Sequence, residues 1–159
     1  MDIFAYAIQM EKDGEAYYRQ LAHRTGNIGL KTILTMLADE EVKHQKVIVG
    51  MRTSDPKVPV GEVLTRAKNI FAEIRDSDQP LPDDTSQIDL YKKALALERK
   101  SEEFYTSQSR SIQDDWTSVF KALSVEEHKH AILLEHIIEF VSRPKTWLED
   151  AEFYHMEEY

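Results

Sequence analysis

The chain has 159 residues, of which 42% are hydrophobic and 31% are charged, and its formal net charge is −9. This length and apolar content suffice for one domain with its own core, while the acidic charge argues against a nucleic-acid groove, because phosphate binding needs a basic surface. The sequence contains no cysteine, which excludes disulfides, iron–sulfur clusters and thiolate-bound zinc from this chain. Any metal site must therefore use oxygen and imidazole ligands.

Two amphipathic stretches at the start of the chain predict a helical hairpin. The first helix is expected from about Asp2 to His23 and the second from about Ile28 to Met51, because apolar residues recur at helical spacing in both. Between them, Thr25-Gly26-Asn27 is typical of a tight turn that tolerates left-handed backbone. A loop this short predicts that the two helices pack antiparallel.

The segment from residue 52 to residue 86 contains four of the five prolines and predicts a long crossover connection. Within it, the stretch from Gly61 to Arg75 has the pattern of one amphipathic helix. A third main helix is expected from about Gln87 to Arg110 and a fourth from about Asp114 to Ser142, where Arg143-Pro144 ends it. The segment from Lys145 to Tyr159 is expected to add a short helix.

These elements predict an all-α protein whose fold is an antiparallel four-helix bundle made of two hairpins joined by a crossover. Residues 1–143 are assigned to the bundle, with the crossover at 52–86, and residues 144–159 to a helical tail. The N-terminus enters an amphipathic pattern directly, and no stretch is long and apolar enough to span a membrane. We therefore expect no membrane association and a cytoplasmic location.

The two halves of the chain repeat each other. Residues 11–18 (EKDGEAYY) align with residues 98–105 (ERKSEEFY), and residues 39–44 (DEEVKH) align with residues 125–130 (VEEHKH). The second match contains a Glu-x-x-His pair in each half: Glu41 with His44, and Glu127 with His130. This spacing places both side chains of a pair on one helical face, and apolar residues precede and follow each pair on the same core stripe.

Glu11 and Glu98 occupy the corresponding stripes of the first and third helices. All four glutamates lie roughly 14–15 residues from a hairpin turn, which places them in one layer about 21–22 Å from the hairpin ends. Buried carboxylates are paired or bind metal, and no lysine or arginine falls on the stripes at this level. Two divalent ions would cancel the four negative charges, with two neutral imidazoles completing the ligand shells. The alternative is a structural polar core of Glu–His ion pairs.

A glutamate from each of two helices and Glu-x-x-His from the other two is the pattern of ferritin-like di-iron and di-manganese proteins. On these six residues, and over residues 2–143, the sequence resembles a stand-alone ferritin-like protein of the rubrerythrin type. The resemblance implies two iron ions, with Glu11 and Glu98 as terminal ligands and Glu41 and Glu127 as bridges. Manganese and zinc are also compatible with these ligand types.

Two differences from rubrerythrins bear on function. Rubrerythrins proper resemble this bundle fused to a rubredoxin domain with four iron-binding cysteines, so the electrons are expected from an external donor such as a rubredoxin. They also tend to carry a second carboxylate one turn after the third-helix ligand, where this chain has Ser101. The site therefore resembles a simpler, symmetric one.

The resemblance implies a di-iron oxidoreductase that reduces hydrogen peroxide or oxygen, in a protein expected to be a homodimer. Two alternatives stay open. One is a ferroxidase that feeds an iron store, and the other is a non-enzymatic helical module whose site holds structural zinc. Near-ultraviolet absorbance distinguishes the last, because zinc has no charge-transfer band.

Several polar residues near the layer are given other roles. Tyr18 and Tyr105 are expected to pack in the core or to hydrogen-bond the ligands, and Glu15 and Glu102 to lie at solvated helix edges. Glu40 and Glu126 are expected at a surface or interface, because they point about 100° away from their neighbours. The residues that miss the layer, or for which no partner glutamate is identifiable, are His23, His128, His136, Glu152 and His155.

Overall fold

The protein is described by a computed structural model that covers residues 2–51, 58–78, 80–81, 83–111 and 116–150. Six α-helices follow one another along these residues, with one 3-10 turn at Thr85–Gln87. Their bounds are Ile3–Arg24 (α1), Ile28–Gly50 (α2), Val63–Asp76 (α3), Ile88–Ser111 (α4), Thr117–Ser142 (α5) and Pro144–Glu149 (α6). The described residues form no strand, and the prediction of an all-α fold with a crossover helix and a short C-terminal helix is confirmed.

The turn between α1 and α2 differs from the predicted one. No described glycine has a positive φ, and Thr25 and Asn27 both have extended backbone. Thr25 ends α1 by donating its N–H to the Leu21 carbonyl, and Asn27 caps α2 by accepting the Leu30 N–H at 2.9 Å. Because two capping residues reverse the chain, the turn needs no left-handed residue.

Two hairpins make the bundle. α1 packs mainly against α2, and α4 mainly against α5. The crossover helix α3 lies against both α2 and α5, so it covers that side of the bundle. α6 begins at Pro144, a favoured first helical residue, and buries Trp147 against Phe71 and Phe140.

The apolar core consists of two clusters. The larger contains Leu34, Phe71 and Trp147 and is built from all the helices, while the smaller contains Phe4, Ile48 and Phe120 and lies at the other end of the bundle. The six predicted metal ligands belong to neither cluster. None of the helices within the described ranges is both long and apolar enough to cross a membrane.

Candidate metal centre

The structure brings all six predicted ligands together in the middle of the bundle. Each main helix contributes one or two of them, and every one is at most 4% exposed. They are Glu11 on α1, Glu41 and His44 on α2, Glu98 on α4, and Glu127 and His130 on α5. Helical spacing explains the arrangement, because residues three apart lie one turn from each other on the same face.

Two overlapping groups of ligand atoms can each hold one ion. The first combines Glu11, Glu41, His44 and Glu127, and the second replaces Glu11 and His44 by Glu98 and His130. Within each group, one ligand atom per residue lies within 4.8 Å of all the others. Glu41 and Glu127 belong to both groups and therefore lie between the two positions.

The two histidines face the carboxylates through the same ring nitrogen. His44 Nδ1 lies 3.0 Å from Glu127 Oε1 and 3.5 Å from Glu11 Oε2. His130 Nδ1 lies 3.3 Å from Glu41 Oε1 and 3.5 Å from Glu98 Oε1. The imidazole rings are nearly parallel, with an interplanar angle of 9° and centroids 5.7 Å apart. Both ion positions thus have the same donors, as the internal repeat of the sequence requires.

The four buried carboxyl groups differ in pKa, two being raised and two lowered. Burial, together with the charges of Glu11 and Glu98, raises the pKa of Glu41 and of Glu127 well above the ordinary value. Burial also acts to raise the pKa of Glu11, but hydrogen bonding with Glu41 and the charge of His44 outweigh it and lower this pKa to about 2. Glu98 has a pKa of about 2 for the corresponding reason, with Glu127 and His130 as its partners. In the metal-free protein the two central carboxyl groups therefore hold their protons to a higher pH than Glu11 and Glu98 do.

The donor set fits metal ions better than it fits a structural polar core. Each of the four residues Glu11, Glu41, His44 and Glu98 has a buried side-chain oxygen or nitrogen without a hydrogen-bond partner, and so has His130 at Nδ1. A buried polar atom that lacks a partner costs about 1–3 kcal/mol. Among the described residues, no lysine or arginine is ion-paired to the six. Two cations would supply both the missing partners and the missing positive charge.

A comparison with protein families agrees with this geometry. Residues 2–73 match the family model described as Rubrerythrin, and they include Glu11, Glu41 and His44. The match covers less than half of the chain and shows a likeness to rubrerythrins in the first hairpin and the crossover. Glu98, Glu127 and His130 lie beyond the matched residues, and the internal repeat of the sequence relates them to Glu11, Glu41 and His44. No curated protein and no solved structure matches the chain.

Two buried tyrosines hold the carboxylates of Glu11 and Glu98. The Tyr18 hydroxyl on α1 donates to Glu98 Oε1 on α4 at 2.5 Å, and the Tyr105 hydroxyl on α4 donates to Glu11 Oε1 on α1 at 2.6 Å. Each hairpin therefore fixes the carboxylate of the other. The expectation that these tyrosines hydrogen-bond the ligands is confirmed.

Replacing Tyr18 by phenylalanine is expected to lower the free energy of unfolding of the metal-free protein by about 1.5–3 kcal/mol, because the lost bond has a charged acceptor. Tyr17→Phe is the matched control, since its half-buried hydroxyl donates to the uncharged Leu90 carbonyl at 2.8 Å. That change should cost only about 0.5–1.5 kcal/mol. Denaturant unfolding of both variants measures the difference, and equal costs would contradict a charged Glu98.

Glu40 and Glu126 were expected at a surface or interface, and the surface alternative is wrong. They are 8% and 4% exposed, because the residues before α3 cover them. The Gly61 N–H donates to Glu126 Oε1 at 2.5 Å, and Lys129 Nζ donates to Glu126 Oε2 at 2.7 Å. Lys43 pairs with Glu40 in the same way at 3.4 Å. In the sequence, a lysine follows each of these glutamates by three residues, and this spacing is the signal from which the two ion pairs could have been predicted.

Gly61 lies close to the two buried carboxylates Glu40 and Glu126. A Cβ atom there would be 2.8 Å from Glu126 Oε1 and 3.2 Å from Glu40 Oε2. We expect Gly61→Ala to lower the free energy of unfolding by about 1–3 kcal/mol, since the buried Glu126 carboxylate must move away from the Gly61 N–H and the Lys129 ammonium that it accepts from. Gly26→Ala is the control, because no atom lies within 4 Å of its added Cβ, and it should leave stability unchanged or slightly higher. Thermal unfolding of the pair tests this; equal midpoints would be evidence against the close approach.

The remaining polar residues stay outside the centre. His128 is exposed, as expected, and its Nδ1 lies 3.1 Å from Glu102 Oε2, while Glu15 pairs with Arg19. His23 is exposed, and His136 is buried beside Trp147, away from the six ligands. The predicted tail is described only to residue 150, so Glu152 and His155 lie outside the described residues.

Proposed function

We propose that this protein is a di-iron oxidoreductase that reduces hydrogen peroxide or oxygen with electrons from an external donor. One observation carries the proposal: two buried groups of carboxylate and imidazole atoms share Glu41 and Glu127, so two ions would lie side by side. The match of residues 2–73 to the rubrerythrin family favours iron in both positions. Bound iron would supply the electrons for reduction by passing between its ferrous and ferric states.

The side chains of the protein would do the rest. Glu11 and His44 would hold one ion, Glu98 and His130 the other, and Glu41 and Glu127 would bridge them. Tyr18 and Tyr105 would keep the outer carboxylates oriented by donating to one oxygen of each. The two apolar clusters on either side of the layer would exclude bulk water. Because the 159 residues contain no cysteine, a rubredoxin-type donor would have to lie outside them.

Metal analysis followed by anaerobic oxidation tests the proposal. Protein purified without chelator or affinity-tag metal should contain about two iron ions per chain. After reduction, one equivalent of peroxide should oxidise both ions, seen as a rise in near-ultraviolet absorbance, and the rates with peroxide and with air identify the preferred oxidant. Stoichiometric zinc with no such band, or iron that neither oxidant changes, would overturn the proposal. Iron storage would be favoured instead if the protein eluted from gel filtration as a large shell and oxidised many more than two iron ions per chain.

A further inference from the structure

A cavity opens from the surface onto the metal centre between α1 and α4. It has a volume of about 180 Å³ and is lined by residues of these two helices, with Glu41 of α2 at its inner end. α1 and α4 make far fewer contacts with each other than the helices within either hairpin do. The opposite side, between α2 and α5, is closed by α3 and by the segment around Gly61. The cavity therefore connects solvent with two of the six predicted ligands, Glu41 and Glu98.

The cavity exists because small residues follow both outer ligands. Gly14 lies three residues after Glu11 and Ser101 three residues after Glu98, at equivalent positions of the repeat, and both line the cavity. A Cβ atom at Gly14 would lie 3.2 Å from Glu41 Oε2, so the absence of a side chain leaves space beside that buried carboxylate. A long side chain at either position would fill the space beside the ions.

The walls and the inner end differ in chemistry. Tyr6, Met10, Tyr17, Ala94 and Leu97 make most of the wall apolar, and Tyr6 and Leu97 are 42% and 40% exposed at the mouth. The inner end is polar. There, the cavity is lined by Glu41 and Glu98, two of the six predicted metal ligands. The cavity therefore suits a small molecule with a polar head at the ions and an apolar tail towards solvent.

Size narrows the ligand class further. A cavity of about 150 Å³ is known to hold one benzene molecule, and tert-butyl hydroperoxide has the same number of non-hydrogen atoms as benzene. Hydrogen peroxide would leave most of the space empty, and a fatty-acid hydroperoxide would exceed it. The volume and polarity of the cavity thus match a hydroperoxide with a short alkyl group.

We propose that the cavity between α1 and α4 binds small alkyl hydroperoxides and presents their O–O group to the metal centre. This inference rests on the proposed function and adds its substrate class. Two bound ferrous ions would supply the two electrons, and solvent the two protons, that convert one hydroperoxide into one alcohol and one water. The external donor would then return the two electrons.

The binding step is tested without turnover. In zinc-loaded protein with carbon-13-labelled methionine methyl groups, tert-butyl alcohol, an unreactive analogue, is titrated while the methyl resonances are recorded. We expect the Met10 resonance to shift saturably, because Met10 lines the cavity, and the Met36 resonance to stay in place, because Met36 lies in the larger apolar cluster and does not line it. A Met10 resonance that does not move would overturn the proposal.

Ser101→Leu tests the selectivity. The added side chain fills the cavity, so tert-butyl hydroperoxide should be excluded more strongly than hydrogen peroxide. The ratio of their rate constants should fall by about tenfold or more, because a single methylene in an apolar pocket already changes selectivity by this factor. Ser109→Leu is the matched control. Ser109 is a half-buried serine on the same helix whose hydroxyl also donates to a carbonyl of the preceding turn, as that of Ser101 does, and it does not line the cavity.

The outcomes separate this inference from the proposed function. Reduction of hydrogen peroxide without reduction of tert-butyl hydroperoxide would overturn the substrate class and leave the function standing. A Met10 shift without turnover of either peroxide would contradict the function and support the ligand site. An equal ratio in Ser101→Leu and Ser109→Leu would overturn the cavity as the route.

Discussion

Replacing Glu41 and Glu127 together by glutamine is expected to abolish the binding of both metal ions. Each of these residues belongs to both ligand groups, so the double change removes two carboxylates from each ion position at once. Changes to residues that merely support a ligand already cost about 10–100-fold in affinity, and loss of two direct ligands should cost more. Elemental analysis after dialysis should then find about two ions per chain in the parent protein and none in the variant.

The neighbouring glutamates provide a matched control for this prediction. Glu40→Gln with Glu126→Gln removes two buried carboxylates one residue away on the same helices, yet neither residue belongs to a ligand group. That variant should keep its metal. The Glu41/Glu127 variant should be no less stable than the metal-free parent, because glutamine removes two crowded acids without changing their shape. Metal loss in both variants would indicate general damage and would contradict the assignment.

Removing the metal is expected to lower stability and to reverse its dependence on pH. A ligand present at 1,000 times its dissociation constant stabilises by about 4 kcal/mol, which corresponds to about 8–16 °C for a chain of this size. A chelator should therefore lower the unfolding midpoint by at least this amount at neutral pH. Calorimetry with and without chelator measures the shift, and identical midpoints would show that no ion stabilises the fold.

The pH dependence of the metal-free protein follows from its carboxyl groups. Glu41 and Glu127 have a raised pKa, so the stability they contribute is complete below their ordinary value of 4.5 and is lost as pH rises through the folded value. His44 acts in the same direction, because its pKa is raised above 6.5: burial acts to lower it, but Glu11 outweighs burial. Glu11 and Glu98, whose pKa values are about 2, lose their contribution only as pH falls below 4.5. Between pH 5 and 8 the metal-free protein should thus become less stable, by about 1.4 kcal/mol per pH unit for each group that titrates.

The metal-bound protein should show the opposite trend over the same range. Metal ions compete with protons for Glu41 and Glu127, so binding releases protons and strengthens as pH rises. Unfolding midpoints with and without chelator should diverge between pH 5 and 8. Parallel curves would mean that the central carboxyl groups do not hold protons in the metal-free state.

The close approach of Gly61 to two buried carboxylates is evident only in the structure. Gly61 was identified from the sequence merely as the start of an amphipathic stretch, whereas the helix begins at Val63 and Gly61 itself contacts a buried carboxylate. Glu40 and Glu126 were expected at a surface because a single helix shows only the direction of a side chain. Which segment of a distant part of the chain covers that direction is decided by packing.

Periodicity and repetition were enough to predict the bundle and the placement of its central layer. Spacing along a helix is fixed at 1.5 Å per residue, so Glu11, Glu41, Glu98 and Glu127 could be placed at one level before any helix was packed. The two Glu-x-x-His pairs followed from the same geometry. That these six residues are metal ligands remains a proposal, which the double glutamine variant tests.

Tertiary structure alone decided what surrounds that layer. The sequence could not show that Tyr18 and Tyr105 each reach the carboxylate of the other hairpin, because hydrogen bonds between distant segments depend on how the hairpins pack. Nor could it show that α3 closes one side of the bundle while Gly14 and Ser101 leave the other open. Local sequence determines where a helix forms, which of its faces a residue lies on and how far along the bundle that residue lies, since these depend on neighbours in the chain. Access to the site depends on the gaps left between helices, and only the packed molecule contains them.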